Sequence, residues 1–483
     1  MLFYYAGAGW AANLSLVVNM FFIFGILDAI GAVLTLPGMA GIVLTIGMAV
    51  DANVLIYERV REELAEGKPL ETAVNDGYTH SYGAILDSNL TTLLTAIILY
   101  LFGTGPIRGF ATTLIIGILS SLFTAIFVSR LYIEWKLSRK AQVTFTNKSF
   151  KGFFVNSNFG FMKSRKVAYA FSALLVVVSL VSLATKGLQL GVDFSGGRTY
   201  QVRFDQSVQV DQVGAALMNV YREQDANATA PVVKTLGTPD QVVITTNFRI
   251  DESGSEVEDA LRSALYKGVK GFYKQPLTEK QFLSIEENPL GLVASRQVGP
   301  TVADDIQKTA IWAVLFSLLG IFIYLLVRFN KWQYSMGAVV AVMHDAIVVM
   351  GVFSLFNGIL PFSLEVDQAF VAAILTVIGY SLNDTVVVYD RIREFFGEKN
   401  HARLTKAQLL DNALNQTLGR TFNTSMTTLV VLIVIFFFGG EVIRGFVFAI
   451  LVGILVGTYS SLFVATPILA DTAKQLGDET PEA

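Results

Sequence analysis

Apolar residues along this chain gather into runs of about 20, the length needed to cross a hydrocarbon core of roughly 30 Å. The runs fall at 12–31, 38–57, 84–102, 108–130, 167–185, 310–328, 336–357, 369–389, 421–439 and 444–466. They predict a polytopic α-helical membrane protein of about ten transmembrane helices. Between the fifth and sixth runs, residues 186–305 follow another rhythm. Thr199–Phe204 alternates polar and apolar, 210–224 and 255–272 have helical spacing, and 231–236, 240–248 and 281–287 read as strands. The resulting β-α-β-β-α-β order predicts one ferredoxin-like α+β domain. It opens on Asp193-Phe194-Ser195-Gly196-Gly197. No helix N-terminus follows this turn, so it is expected to be a structural bend at positive φ rather than a phosphate loop.

Orientation follows from the basic residues of the short loops. Segment 130–166 carries nine Lys or Arg against the single acid Glu134, which predicts a cytoplasmic location. Alternate threading then puts 58–83, 329–335 and 390–420 inside. It puts 358–368, with Glu365, Asp367 and no base, outside, together with 186–305. The composition of 53% hydrophobic and 16% charged residues agrees with an embedded chain. A formal net charge of -3 gives no electrostatic case for nucleic-acid binding. The absence of cysteine excludes thiolate metal sites, and three histidines argue against a His-rich metal centre, so no metal or cofactor is expected. No hydrolytic triad appears, and an enzyme is not expected.

The chain also repeats itself. Gly47–Glu63 (GMAVDANVLIYERVREE) lies over Gly379–Phe395 (GYSLNDTVVVYDRIREF) at an offset of 332, which aligns Tyr57, Arg59, Arg61 and Glu62 with Tyr389, Arg391, Arg393 and Glu394. At an offset of 336, Arg108-Gly109-Phe110 falls on Arg444-Gly445-Phe446 and Gly117 on Gly453. The copies run in the same sense, which predicts a parallel repeat about an axis along the membrane normal. The second copy is preceded by two spans and the soluble domain that the first lacks, so a matching N-terminal element is expected upstream of Met1 or on a separate subunit.

No G-x-x-x-x-G-K-[ST] loop is present, as Gly67-Lys68 is followed by Pro69, and an ion gradient is the natural driver. Such a driver needs ionisable groups inside the membrane, where each costs about 2.5–3.5 kcal/mol at a helix centre. Asp51 lies 13 residues into its span and Asp384 15 residues into the equivalent one. The repeat aligns Asp51 with Asn383 and Asp384 with Ala52. Two carboxylates near a pseudo-symmetry axis suit a proton relay; acids merely hydrogen-bonded to a neighbouring helix, through Asn53 or Asn383, remain the alternative. Arg420 aligns with Ala84 and by position could be a snorkelling anchor. Asp28, Asp87, His344 and Asp345 are weaker candidates, with helix packing or gating equally open. Gly453 and Gly457 have the small-xxx-small spacing of helix contacts.

The strings LTLPGMAGIVLTIGMAVDANVLIYERVREEL (34–64), DSNLTTLL (87–94), GVDFSGG (191–197), VGPTVADD (298–305), SLNDTVVVYDRIRE (381–394) and NTSMTTL (423–429) together resemble the bacterial protein-export auxiliaries SecD and SecF fused in one chain, within the resistance-nodulation-division superfamily. The resemblance implies a SecD-like membrane repeat at 1–140, a basic linker at 141–166, the first SecF-like helix at 167–185, the extracytoplasmic domain at 186–305, a SecF-like repeat at 306–470 and a cytoplasmic tail at 471–483. It implies a location in the bacterial cytoplasmic membrane and use of the proton or sodium motive force in late preprotein export. The implied partners are the SecYEG translocon, the emerging preprotein, a YajC-like subunit, SecA indirectly, and the missing N-terminal portion of SecD. It further implies that Arg420 pairs with Asp384 to handle the proton and that Asp51 is the in-membrane acid of the SecD half. A proton-driven exporter of small molecules or lipids is the alternative from the same superfamily.

Overall fold

Ten helices among the described residues are long and apolar enough to cross a membrane. In this computed structural model they are α1 (Leu2–Ala29), α2 (Pro37–Ala65), α3 (Leu70–Phe102), α4 (Gly105–Ser138) and α5 (Phe161–Lys186), then, after the soluble domain, α8 (Pro300–Phe329), α9 (Trp332–Phe356), α10 (Gln368–Gly397), α11 (Lys406–Phe438) and α12 (Ile443–Thr472). The residues described are 1–147, 157–236, 238–250, 252, 254–284, 289–397 and 404–473; parts of the expected linker and nearly all of the expected tail lie outside them.

Helix ends follow local chemistry. Thr35 caps α2 by accepting from the Gly38 amide, and α8 begins with Pro300 after Gly299. Helices α3 and α11 begin about four turns before their apolar runs, at Leu70 and Lys406 instead of 84 and 421. Hydropathy reports what lipid touches, whereas the helix continues through polar cytoplasmic residues, with α11 started by a Thr405–Gln408 capping box.

Packing obeys the internal repeat. Phe110 and its equivalent Phe446 meet edge to face, with ring centroids 5.7 Å apart. Gly47 is pressed against Thr428, and its equivalent Gly379 against Thr92. Gly453 lies against Val377 just as Gly117 lies against Thr45, and Gly457 faces Ser381, so these glycines allow close helix approach. A π-helical turn interrupts α4 at Thr124–Val128 and α12 at Ser461–Ala465. Helix α10 is enclosed on nearly all sides, while α5 and α8 stand at the periphery.

The soluble domain comprises β1 (Gly197–Arg203), α6 (Val210–Gln224), β2 (Val232–Leu236), β3 (Thr238–Thr246), α7 (Ser255–Val269) and β4 (Gly291–Val298). Its antiparallel sheet has the order β2-β3-β1-β4, that of a ferredoxin-like fold. Tyr200, Val202, Val242 and Ile244 point into a core with Leu217, Leu265 and Phe282. The expected strand at 281–287 is corrected. Thr278 and Gln281 form a capping box that starts a helical turn at Glu279–Leu283, and the last strand is β4; residues 285–288 lie outside the described region.

Alternate residues Thr199, Gln201, Val243 and Thr245 face the membrane helices across a cleft of about 300 Å³. The domain is tied to the outer end of α10 there. Gly191 N donates to Val366 O and Val366 N to Gln189 O, both at 2.8 Å, and Lys234 pairs with Glu365. Asp193 accepts from the Gln368 amide and from Arg296, each at 3.2 Å. Gly196 (φ 71°) and Gly197 (φ 155°) give the bend its positive φ, as expected from the sequence.

Candidate ion-translocation site

Asp51 sits mid-span in α2, Asn383 and Asp384 in α10, and Arg420 just short of the middle of α11. All four are buried. Asn383 Nδ2 donates to Asp51 Oδ2 at 2.5 Å, and Arg420 Nη2 donates to Asp51 Oδ1 at 3.1 Å and Oδ2 at 3.3 Å. Positions 51 and 383 are equivalent in the repeat. A residue that touches its own repeat mate lies on the pseudo-two-fold axis, so the Asp51–Asn383 contact marks that axis in the interior of the bundle.

Asp384 is 2% exposed and within electrostatic reach of both Arg420 and Asp51. In this structure Arg420 makes its ion pair with Asp51 of the first repeat, while Asp384 of the second, its partner by the resemblance, stands within its electrostatic reach. Asn383 holds the Asp51 carboxylate on the axis, in line with Arg420. The other guanidinium nitrogens, Nε and Nη1, are buried without an acceptor among the described residues. At 5% exposure Arg420 is no surface anchor. One cation thus stands among two carboxylates. Neutrality in a low-dielectric interior then calls for one proton on the pair, since a charge left unbalanced there is costly.

Hydroxyls surround this centre. Thr92 donates to Gly379 O at 3.3 Å, Tyr380 to Thr428 at 3.2 Å, and Ser425 and Thr458 are 2.7 Å apart. Toward the cytoplasm the repeat builds a ring of alternating charge that sequence reasoning passed over. Arg59 bonds Glu62 (2.9 Å) and Glu394 (3.1 Å), while its equivalent Arg391 bonds Glu394 (2.6 Å) and Glu62 (3.2 Å). The signal was present in the alignment of these four positions, but taken singly the two arginines read as positive-inside charges and the two glutamates as ordinary solvated loop acids.

The weaker candidates disperse. Asn53 bonds Ser15 and Ala49 O, both at 3.3 Å. Asp87 accepts from Tyr324 (3.1 Å) and Arg328 (2.5 Å), tying α3 to α8. Asp28 is exposed at the end of α1. His344 and Asp345 lie together in α9, in contact with Ser381 of α10. Asp193, Gly196 and Gly197 belong to the domain tie. Beside that tie, burial pushes the Asp367 carboxyl up to about 6, helped by Asp193 and Glu365 and opposed by the Phe370 amide that it accepts. Among the described residues no group of three or more His, Asp or Glu is disposed to hold a metal ion.

Comparison with known proteins supplies the context. Residues 1–138 and 280–475 match the family described as Protein export membrane protein SecD/SecF, C-terminal, and residues 181–208 match the SecD/SecF GG Motif. Protein translocase subunit SecDF of Brucella abortus is 35% identical over 470 residues, covering 97% of this chain and 58% of that protein. Protein translocase subunit SecF of Rhodothermus marinus is 42% identical over 321 residues, 66% of this chain and 94% of its own length. The crystal structure of SecDF from Thermus thermophilus, described as a translocon-associated membrane protein, superposes with a TM-score of 0.80 at 35% identity, covering 97% of this chain and 59% of that one. The chain thus spans about three fifths of the SecDF relatives it matches. With ten apolar helices among its described residues, its ferredoxin-like domain and these similarities, the chain belongs to the SecD/SecF family of protein-export membrane proteins.

Proposed function

We propose that this chain is the ion-driven membrane part of a Sec translocase auxiliary that promotes late steps of preprotein export. The observation that carries the reading is one buried cation between the repeats, Arg420, which pairs with the acid of the first and lies within electrostatic reach of the acid of the second. Protonation of Asp51 removes the partner of Arg420 and frees the guanidinium for Asp384; deprotonation reverses the exchange. Each exchange changes how α2, α10 and α11 pack. Helix α10 carries the change outward to Val366, Glu365 and the domain at 186–305, and inward to the Arg59–Glu394 and Arg391–Glu62 ring. The ring closes the cytoplasmic side while the acids exchange protons outside. The domain, moving with α10, holds emerging preprotein and opposes its backsliding into a SecYEG-type translocon; a YajC-like subunit and, indirectly, SecA complete the assembly. The SecD-like (1–140) and SecF-like (150–470) portions act as the two repeats of one machine. Its activity is mechanical rather than enzymatic.

The test is the rate of preprotein export in cells lacking their own SecD and SecF, supplied with this chain together with the segment its relatives carry ahead of it. Rescue by wild type and its loss in Asp384→Asn at equal abundance is the expected result. Equal rescue by both proteins defeats ion drive and leaves a scaffold, and rescue by neither points to the exporter reading.

A further inference from the structure

On α9 a second ionisable centre stands apart from the Asp51–Arg420–Asp384 group. Asp345 is wholly buried. Its Oδ2 accepts from Ser381 Oγ of α10 at 2.6 Å and from Ser460 Oγ of α12 at 2.7 Å, and its Oδ1 faces His344 Nδ1 at 3.0 Å. His344 is 6% exposed, and its Nε2 is buried without a hydrogen-bond partner among the described residues.

Counting hydrogens shows what this arrangement lacks. Ser381 donates to Oδ2, and the one hydroxyl hydrogen of Ser460 goes to Oδ2 at 2.7 Å in preference to Gly457 O at 3.2 Å, so one hydrogen is left between Oδ1 and Nδ1. If Nε2 is bare, the His–Asp pair carries a full negative charge inside the membrane span, and a buried unpaired carboxylate is costly. If Nε2 holds a hydrogen, the pair is neutral, whichever of Oδ1 or Nδ1 owns the shared one, but a donor is left without an acceptor. Neither state is fully satisfied, and the two differ by one proton at one atom.

Among the described residues the charged groups of the neighbouring helices lie at helix ends or are held by other partners. Tyr459 of α12 is the titratable side chain against the imidazole, with ring centroids 6.3 Å apart, and its hydroxyl is committed to Ala168 O and Ser172 of α5. On α10, Tyr380 bonds Thr428, Asp384 lies toward Arg420, Tyr389 donates to Ala465 O, and Asp390 pairs with Arg328 and Arg393. The charges of α5, Lys163, Arg165, Lys166 and Lys186, stand near its two ends. On α8, Tyr324 and Arg328 are held by Asp87. Arg444 lies at the outer start of α12. The contact is also particular to the second repeat. In the first, α1 meets α2 through Ser15 and Asn53, which are neutral. Ser460 directly precedes the π-turn of α12, a backbone irregularity that recurs at functional sites.

We infer that His344 and Asp345 form a second proton-binding site, with Ser381 and Ser460 as its positioning residues and His344 Nε2 as the atom that gains and loses the proton. It goes beyond the Asp51–Arg420–Asp384 reading and does not depend on it. Ser381 lies one turn from Asp384 on the same helix, so proton occupancy at the dyad bears on the packing of α10 against α9 and α12.

The chain has three histidines, His80, His344 and His401, so the proposal is open to direct observation. The full chain is labelled with 15N-histidine in lipid nanodiscs, and the imidazole resonances are followed from pH 5 to 9. His80→Gln and His401→Gln identify the His344 signal by elimination without altering α9. The expected result is a His344 signal that passes between neutral and cationic forms in that range, a loss of that transition in Asp345→Asn, and its survival in Asp384→Asn. A His344 imidazole fixed in one protonation state across the range in wild type overturns the proposal, as does a transition that persists unchanged in Asp345→Asn. Because survival in Asp384→Asn is read from the imidazole alone, failure of the export reading leaves this result standing, and the reverse also holds.

Discussion

The two membrane repeats share a backbone plan and differ in where they keep their charge. Their glycines meet equivalent neighbours, both carry a π-turn in the last helix, and both contribute one Arg and one Glu to the cytoplasmic ring. In the interior the equivalence stops. The first repeat offers Asp51 where the second has Asn383, the second offers Asp384 where the first has Ala52, and the second alone supplies Arg420, His344 and Asp345. Symmetry gives two halves that can rock against each other; the unequal charges give that motion something to respond to.

Removing the shared cation is the strongest way to break the comparison. Arg420→Gln leaves two carboxylates facing each other, and an uncompensated charge worth about 2.5–3.5 kcal/mol corresponds to roughly a hundredfold loss of export rate, measured by pulse-chase of a preprotein. A second substitution sharpens it. Asp51→Asn abolishes the Arg420 ion pair, but adding Asn383→Asp returns a carboxylate to the repeat mate that already touches position 51. The double variant is expected to recover a large share of the rate lost in Asp51→Asn, and no recovery contradicts the axial placement.

Shared packing predicts equal penalties. Gly453→Ala and Gly117→Ala each force a methyl into a neighbour, Val377 or Thr45, at a cost of about 1–3 kcal/mol by thermal or denaturant unfolding in detergent. A large inequality would mean that the two helix contacts are not equivalent.

Outside the membrane, Asp367 gives the domain tie a pH dependence. Its pKa is pushed up to about 6 where the domain is docked, against about 3.9 for an ordinary aspartate. The docked state therefore binds more protons. Its contribution is fully present below pH 4 and is lost as pH rises through 6. Cross-linking between Thr235→Cys and Ser363→Cys, which line the two sides of the cleft and leave Lys234, Glu365 and Asp193 in place, is expected to fall over that window once corrected for thiol ionisation with an exposed cysteine pair, and to become flat when Asp367→Asn is added. The smallest effect belongs to the cytoplasmic ring. Arg59→Gln and Arg391→Gln each remove partly exposed pairs worth about 0.2–1 kcal/mol. Equal, modest rises in passive proton leak are expected from the two.

The spans, the parallel repeat and the topology were legible because 20-residue apolar runs and basic loops leave direct traces in composition. The two intramembrane acids were legible for the same reason, as departures from an apolar background. What could not be read depends on packing across the axis. Arg420 aligns with Ala84 along the chain, and nothing in that register tells which acid it meets; Asn383 and the geometry of α2 against α10 decide for Asp51. The last strand was misplaced because Phe282, Leu283 and Ile285 imitate a strand. A capping box at Thr278 and Gln281 turns the first part into helix, and the actual strand, with Ser295, Arg296 and Gln297, is too polar to declare itself. Cytoplasmic extensions of α3 and α11 escaped for the reason hydropathy always misses helix outside lipid.

The most direct test is proton uptake into vesicles holding the purified protein, driven by an imposed potential and compared among wild type, Asp51→Asn, Asp384→Asn and Arg420→Gln at equal incorporation. Uptake in wild type, lost in each of the three variants, is the predicted result. Uptake that is equal in all four would contradict the shared-cation account.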